Sequence, residues 1–456
     1  MTGSAYVSGL ISGIDTASLI SQLIALERKP VEMLEEQVSL LEERRSAYQR
    51  LNTALLTLKD RADTLARTGT FEAVTATSSD ADLLSVTVSD QAELGDYVFT
   101  VMSAASRGIV ASNALPDPDT PLTTAANRYL DVYLGGSLAV HLDVETTDTL
   151  NTLADKINAA DAGVRAFVVN DGAGYRLFIQ SEDTGTQNQV SVDENVQGLD
   201  FQTVSDARDA AISIGETNPV VITSSDNTFE NVLPGVTLSV LAQPESPTPV
   251  TVQVTRDTES VKNAIKDFVT AYNEVMDVIS RYYTYDEETG EAGALFGETQ
   301  VRLLFDDLAS LLTAEVASAP EEVNSLAALG ITVDASGRLS VSDEDLDAAL
   351  SASFEGVKTL FTDATEGIGV RYRDRLDFLT RIGDGVIYTV TDSIDQQISE
   401  LEERIADMEE ALAAREEQLR EEFTAMEQAL ATLQSQSQFL ALHMQNVGGL
   451  LALLSA

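Results

Sequence analysis

The sequence predicts an α+β protein with long coiled-coil helices at its N- and C-terminal ends and a β-rich, two-part head in the middle. Three observations predict it. Apolar residues recur every seven positions near both ends, and between them the period shortens to alternation. A chain of 456 residues with 44% hydrophobic content and no cysteine must also draw its stability from burial and association instead of disulfides.

At the C-terminal end the apolar series is Ile398, Ile405, Leu412, Leu419, Met426, Leu433 and Leu440, with Leu401 and Met408 at the intervening step. Steps of three and four residues place these side chains along one helix face, a seam that needs a partner. The N-terminal end offers one in Leu34, Leu41, Tyr48, Leu55 and Ala62, with Leu51, Leu58 and Leu65 at the three-residue offset. Such a chain leaves through one helix, builds a body and returns through another, like a head on a stalk.

In order, residues 1–33 read as a mobile and then helical end segment. Gly9 and Gly13 loosen its start, Asp15 caps a helix ahead of Leu19, Ile20, Leu23 and Ile24, and Pro30 interrupts it. The stalk helix occupies 34–70, closed by Gly69. A β-rich head domain takes 71–114 and 201–258. In it Leu84, Val86 and Val88, then Tyr97, Phe99 and Val101, alternate as two paired strands, and Pro244, Pro247 and Pro249 mark a loop or sheet edge. A small α+β domain is inserted at 115–200, with a turn at Gly135-Gly136, a helix over 149–160 and a hairpin across Asp171-Gly172. Helical spacing returns with Val261, Ile265, Phe268, Val269, Tyr272, Val275, Met276 and Ile279, and residues 259–390 are the helical return. The coiled-coil helix of 391–456 starts near Val386 and extends on the order of 80 Å. Its seam weakens after Leu412, where Arg415 and Glu422 stand at apolar positions and Phe423 and Leu430 shift by one. A register change, or pairing completed only in an oligomer, is expected there.

The formal charge of -46, from 74 acidic against 28 basic residues, repels nucleic-acid phosphates and anionic membrane surfaces. No nucleic-acid partner and no membrane insertion are expected, since even residues 447–454 are short and carry Gly448 and Gly449. The first fourteen residues lack the pattern of a cleavable secretory signal. Composition alone reads as soluble and cytoplasmic, unless export uses a route that reads an uncleaved N-terminus. No catalytic residue, metal site or cofactor is expected. His141 and His443 have no partner at ligand spacing, and no G-x-S-x-G, P-loop or G-x-G-x-x-G pattern occurs. The acidic run Asp286-Glu287-Glu288-Thr289-Gly290-Glu291 lacks the alternating ligands of a calcium loop. The basic island Arg371, Arg373, Arg375 and Arg381 reads as charge balance against neighbouring acidic helices.

Several stretches resemble one family. The opening Ser8-Gly9-Leu10-Ile11-Ser12-Gly13-Ile14-Asp15-Thr16, with Leu23, Glu27 and Pro30, is similar to the signature of the flagellar filament cap proteins, also called flagellar hook-associated protein 2. So are Asp267-Phe268-Val269-Thr270-Ala271-Tyr272-Asn273-Glu274, Leu329-Gly330-Ile331, Gly337-Arg338-Leu339, Leu360-Phe361, Phe423-Thr424-Ala425-Met426-Glu427 and Gln434-Ser435-Gln436-Ser437. Residues 134–192, with Lys156-Ile157-Asn158, resemble a small repeat of hook-associated and flagellin-type proteins.

The resemblance implies a non-enzymatic, ring-shaped homo-oligomer at the distal tip of the bacterial flagellum. It would be exported without a cleaved signal by the flagellar type III route, and it would retain flagellin and promote its folding and insertion. It further implies hook-associated junction proteins and a cytoplasmic export chaperone at the C-terminal end as partners. Assembly contacts would fall on Gly9, Ser12, Gly13, Asp15, Leu23 and Pro30, and stalk packing on Phe268, Tyr272, Asn273 and Phe361. Two alternatives stay open: another flagellar axial protein, such as a junction protein or flagellin, and a secreted adhesin whose function lies in the head.

Overall fold

The computed structural model describes residues 15–215 and 217–454, with side-chain surroundings through residue 441. It is α+β and divides into two compact units, Met1–Arg67 with Lys262–Ala456, and Thr68–Val261.

The first unit opens with α1 (Thr16–Glu27) and α2 (Lys29–Ala66). The Asp15 side chain accepts the Ser18 amide at 3.0 Å and caps α1. Pro30 stands in the first turn of α2, where a missing N–H costs nothing, so it starts α2 as much as it ends α1. Gly69 does not close α2. Arg67 turns extended, and Gly69 lies inside the short α3 (Thr68–Glu72), which opens the second unit.

The second unit continues with β1 (Val74–Ser78), β2 (Leu84–Val88), β3 (Gly95–Ser103), β4 (Ile109–Ser112), β5 (Arg128–Leu134), β6 (Ser137–Val144), α4 (Leu150–Ala159), β7 (Val164–Asn170) and β8 (Tyr175–Ser181). After these come β9 (Val190–Glu194), β10 (Phe201–Ser205), β11 (Ala210–Ile214), β12 (Val220–Ser224), β13 (Thr228–Leu233), β14 (Val236–Val240) and β15 (Thr248–Arg256). Sheets β1-β15-β3-β11-β12 and β13-β14-β2 share one core. Phe99, Val101, Ile212, Val250 and Val252 of the first meet Leu84, Phe229, Val236 and Leu238 of the second, all at most 3% exposed.

The expected pairing of the two alternating runs is therefore overturned. β2 pairs with β14 and β3 with β15 and β11, because each run turns its apolar face to the other across the core instead of sharing its ladder. Pro249 lies within β15, opposite Thr100 of β3, but β1 ends opposite Val252 and leaves that flank without a strand, so the missing N–H breaks no ladder bond.

Sheets β10-β4-β8-β7 and β6-β5-β9 close with α4 over a second core, where Leu130, Val132, Leu150, Leu153, Ile157, Leu177 and Ile179 are fully buried. Thr149 and Thr152 cap α4 reciprocally. The Asn158 side chain donates to the Ala166 carbonyl and accepts its amide, each at 2.8 Å, so α4 is fastened to β7. The turn at Gly135-Gly136 is a two-residue hairpin, with φ of 59° and 79° that suit glycine. The β7–β8 hairpin is not a two-residue turn: Asn170 pairs with Tyr175, and Asp171 through Gly174 loop between them, held by the Asp171 carboxylate on the Ala173 and Gly174 amides.

The chain returns through α5 (Thr258–Tyr282), α6 (Thr299–Leu312), the hairpin β16 (Ile331–Val333) and β17 (Leu339–Val341), α7 (Asp343–Ala352), α8 (Phe354–Thr362), α9 (Ile368–Thr380) and α10 (Val386–Leu454). The helix α9 has no counterpart among the expected elements. Its Ile368, Tyr372, Leu376 and Leu379 are buried at helical spacing, a pattern legible in the sequence but masked there by its arginines.

Lys59 of α2 and Arg381 both hydrogen-bond Asp377 of α9 and lower its carboxyl from 3.8 to about 2. A carboxylate with a depressed folded value adds stability above its unfolded value, and that stability disappears as pH falls toward the folded one. Asp377→Asn is therefore expected to destabilise the protein at pH 6. The difference from wild type should shrink between about pH 4 and 2 in denaturant titrations. A difference constant over that range would mean the ion pairs carry no stability.

Candidate assembly surfaces

The expected N-terminal stripe serves two purposes. Tyr48, Leu51, Leu55, Leu58 and Leu65, fully buried, belong to the helical core with α9, where Tyr48 also donates to Glu298 at 3.0 Å. Burial, with Glu298 beside it, raises the Tyr48 hydroxyl well above its ordinary value. Toward its N-terminal end, α2 instead runs antiparallel to α10: Arg45 pairs with Asp395 at 3.0 Å and Arg28 with Glu409 at 3.2 Å. The series then passes to α1, where Arg415 lies 3.8 Å from Glu27. These pairs are exposed and mark register more than they add stability. Leu34 and Leu41 are half-buried on this part of α2.

On α10, Ile398 and Leu419 are buried, and Leu401, Ile405, Met408 and Leu412 are half-buried. Beyond them burial fails at the expected positions, with Met426 37%, Leu433 60% and Leu440 63% exposed, whereas Phe423 and Leu430 are half-buried. A second stripe escaped the sequence reading: Leu19, Leu26, Met33 and Leu40 recur every seven residues and are 40–63% exposed along α1 and α2. Its spacing was visible, but the eye follows the inner seam.

Among the residues expected to make assembly contacts, Asp15 is spent on capping α1, and Leu23 and Pro30 are exposed. Gly9, Ser12 and Gly13 lie outside the described residues. Phe268, Tyr272 and Phe361 are at most 1% exposed. Phe268 and Tyr272 meet Tyr372 edge-on at 5.0 and 6.5 Å, and burial pushes the Tyr272 hydroxyl up to about 12. Asn273 grips β17, donating to the Leu339 carbonyl and accepting its amide, each at 2.8 Å.

In the basic island Arg373 meets Asp374, Arg375 meets Asp307, and Arg381 meets Asp377. Arg371 lines a surface recess of about 410 Å³ with Leu311, Arg375 and Phe378. The Asp286 carboxylate accepts the Glu288 and Thr289 amides of its own loop, which hold it below the usual range. His141 lies on the β5–β6 hairpin with Nδ1 2.5 Å from Asp131. Among the described residues no three His, Cys, Asp or Glu side chains are grouped to hold a metal ion, and no helix is long and apolar enough to cross a membrane.

Comparison with known proteins matches the two terminal regions of one family, with a motif between them, in order along the chain. Flagellar hook-associated protein 2 N-terminus matches residues 12–107, the flagellin hook IN motif 130–183, and flagellar hook-associated protein 2 C-terminus 207–435. Flagellar hook-associated protein 2 of Escherichia coli K12 is 28% identical over 96% of this chain and 97% of its own. The B-type flagellar hook-associated protein 2 of Pseudomonas aeruginosa is 30% identical over 85% of this chain and 84% of its own. A crystal structure of three domains of the flagellar cap protein of Escherichia coli, 29% identical, superposes over 76% of this chain and 99% of that one with a TM-score of 0.52.

Proposed function

The chain belongs to the flagellar hook-associated protein 2 family, and from that premise we propose that it caps the distal tip of the flagellar filament. Copies of it form a ring there, retain exported flagellin and promote its folding and insertion. The observation that carries this reading is the pairing of α1 and α2 with α10 at both extremities of a chain that matches the family from end to end. A protein that walks on a growing lattice needs slender helices whose modest contacts can be exchanged, and a seam that loosens beyond Leu419 supplies them.

In this reading the role is structural and not catalytic. The protein leaves the cell without a cleaved signal, meets flagellin and the hook-associated junction proteins through its helical ends, and is escorted by a chaperone on α10. A second reading, adhesion through the β-rich unit, has no specific observation in its favour.

The test is deletion of residues 398–456 in the motile organism. Unpolymerised flagellin is expected in the medium, with short or absent filaments. Normal filaments with lost attachment would overturn the cap reading in favour of an adhesin.

A further inference from the structure

The chain passes between the two cores of the β-rich unit twice, over residues 104–108 from β3 to β4 and over residues 206–209 from β10 to β11. The two crossings run side by side: the Ser106 amide donates to the Arg208 carbonyl at 2.9 Å, and the Arg208 amide to the Ser106 carbonyl at 3.1 Å. A pair of short connectors is by itself a hinge, and two parts joined in that way move relative to each other unless further contacts prevent it.

The loop of residues 182–189, between β8 and β9 of the second core, supplies those contacts. It grips both crossings. The Gly185 amide donates to the Ser106 carbonyl at 3.2 Å, the Gln189 side chain accepts the Ala207 amide at 2.7 Å, and the Asp209 carboxylate accepts the Thr186 amide and hydroxyl at 2.7 and 2.9 Å. It also reaches past them to the first core, where Thr184 Oγ1 donates to the carbonyl of Ser225, in the turn between β12 and β13, at 2.8 Å.

The fit there is backbone against backbone. Gly185 is buried at φ of 100°, and a Cβ on it would stand 2.7 Å from the Ser225 carbonyl oxygen and 2.9 Å from its Cα. On other sides of the same loop, a Cβ on Gly108 would lie 2.7 Å from the Val190 amide nitrogen and 2.8 Å from the Asn188 carbonyl oxygen, and one on Gly135 would strike the Gln187 carbonyl oxygen. The loop is braced internally as well. The Asn188 side chain donates to the Thr184 carbonyl at 2.7 Å, and the buried Ser181 hydroxyl to the Asp183 carbonyl at 2.7 Å.

We infer that the loop of residues 182–189 is a latch that holds the inserted part at a fixed angle to the first core, so that the β-rich unit moves as a single body. Ser225 belongs to neither crossing, and a contact outside the crossings opposes the swing that they alone would permit. A force on the inserted part is then carried to the first core without a change of angle. The latch does not depend on the cap reading.

The absence of cysteine makes the test clean. In purified full-length protein, nitroxide labels on T77C of β1 and A173C of the β7–β8 loop, both exposed positions, report the distance between the two parts by pulsed dipolar spin resonance. One narrow distance distribution is expected, and G185A combined with D209A is expected to broaden it. A second pair inside the inserted part, A173C with S191C, is expected to keep its width in that variant. A broad distribution for the first pair without G185A and D209A overturns the inference, as does a narrow one that survives them. If the inner pair broadens too, the variant has loosened the second core itself, and T184A with D209A, which removes only side-chain hydrogen bonds, decides. Broadening of the first pair alone then supports the latch, and an unchanged width overturns it.

Discussion

Phe268→Ala is expected to lower the stability of the helical unit by about 3–5 kcal/mol, the usual cost of emptying a buried aromatic site. Phe268 is 1% exposed on α5 and meets Tyr372 of α9 edge-on at 5.0 Å. Tyr372 cannot move into the vacated space cheaply, because its hydroxyl donates to the Leu308 carbonyl of α6 at 2.8 Å in a buried setting. Filling the cavity would break that bond and leave a polar group unpaired, at a further cost of about 1–3 kcal/mol. The site therefore stays open or loses its tie to α6, and either outcome is costly. Phe268→Leu keeps most of the volume and is expected to cost less than about half as much. Denaturant titrations followed by helical circular dichroism measure both. A Phe268→Ala loss below about 1 kcal/mol would show that the α5, α6 and α9 contacts do not depend on this ring.

Legibility followed periodicity and failed where long-range choices decide. The heptads of α10 and α2, the cap at Asp15, the Gly135-Gly136 turn and the helix α4 were readable because each depends on a few neighbouring residues. The pairing of β2 with β14, about 150 residues away, was not, since an alternating strand shows which face is apolar and not which ladder it joins. β4, β9, β10 and β13 were not read as strands, although they are about as long as β2, whose Leu84, Val86 and Val88 alternate strictly. α9 was hidden by Arg371, Arg373, Arg375 and Arg381, which drew the reading toward charge when the buried face was Ile368, Tyr372, Leu376 and Leu379. On the assembly surface the position of the seam was visible and its occupancy was not. Which half of a stripe is covered depends on where the antiparallel partner ends.

Gly369→Ala is expected to destabilise the helical unit by about 1–3 kcal/mol, by a route different from loss of the aromatic ring. Gly369 lies in the first turn of α9, and a Cβ there would stand 2.8 Å from the Ala66 amide nitrogen, 2.9 Å from the Leu65 carbonyl carbon and 3.0 Å from the Phe361 carbonyl oxygen. All three are backbone atoms, so no rotamer relieves the contact and α9 must lift away from the ends of α2 and α8. Helix propensity favours alanine by up to about 1 kcal/mol, but overpacking against fixed backbone costs typically 1–3 and more when a helix must shift. Gly69→Ala is the control, because nothing lies within 4 Å of its added Cβ inside α3, and it is expected to be neutral or stabilising. The displacement at Gly369 reaches Tyr372 within one turn, so the double variant with Phe268→Ala should lose less than the two single losses added together. Additive losses would mean that the start of α9 and its aromatic contact are independent. In that case the close approach of α9 to α2 would not be what seats the ring, and α2 would owe its anchorage to Lys59 and the buried leucines alone.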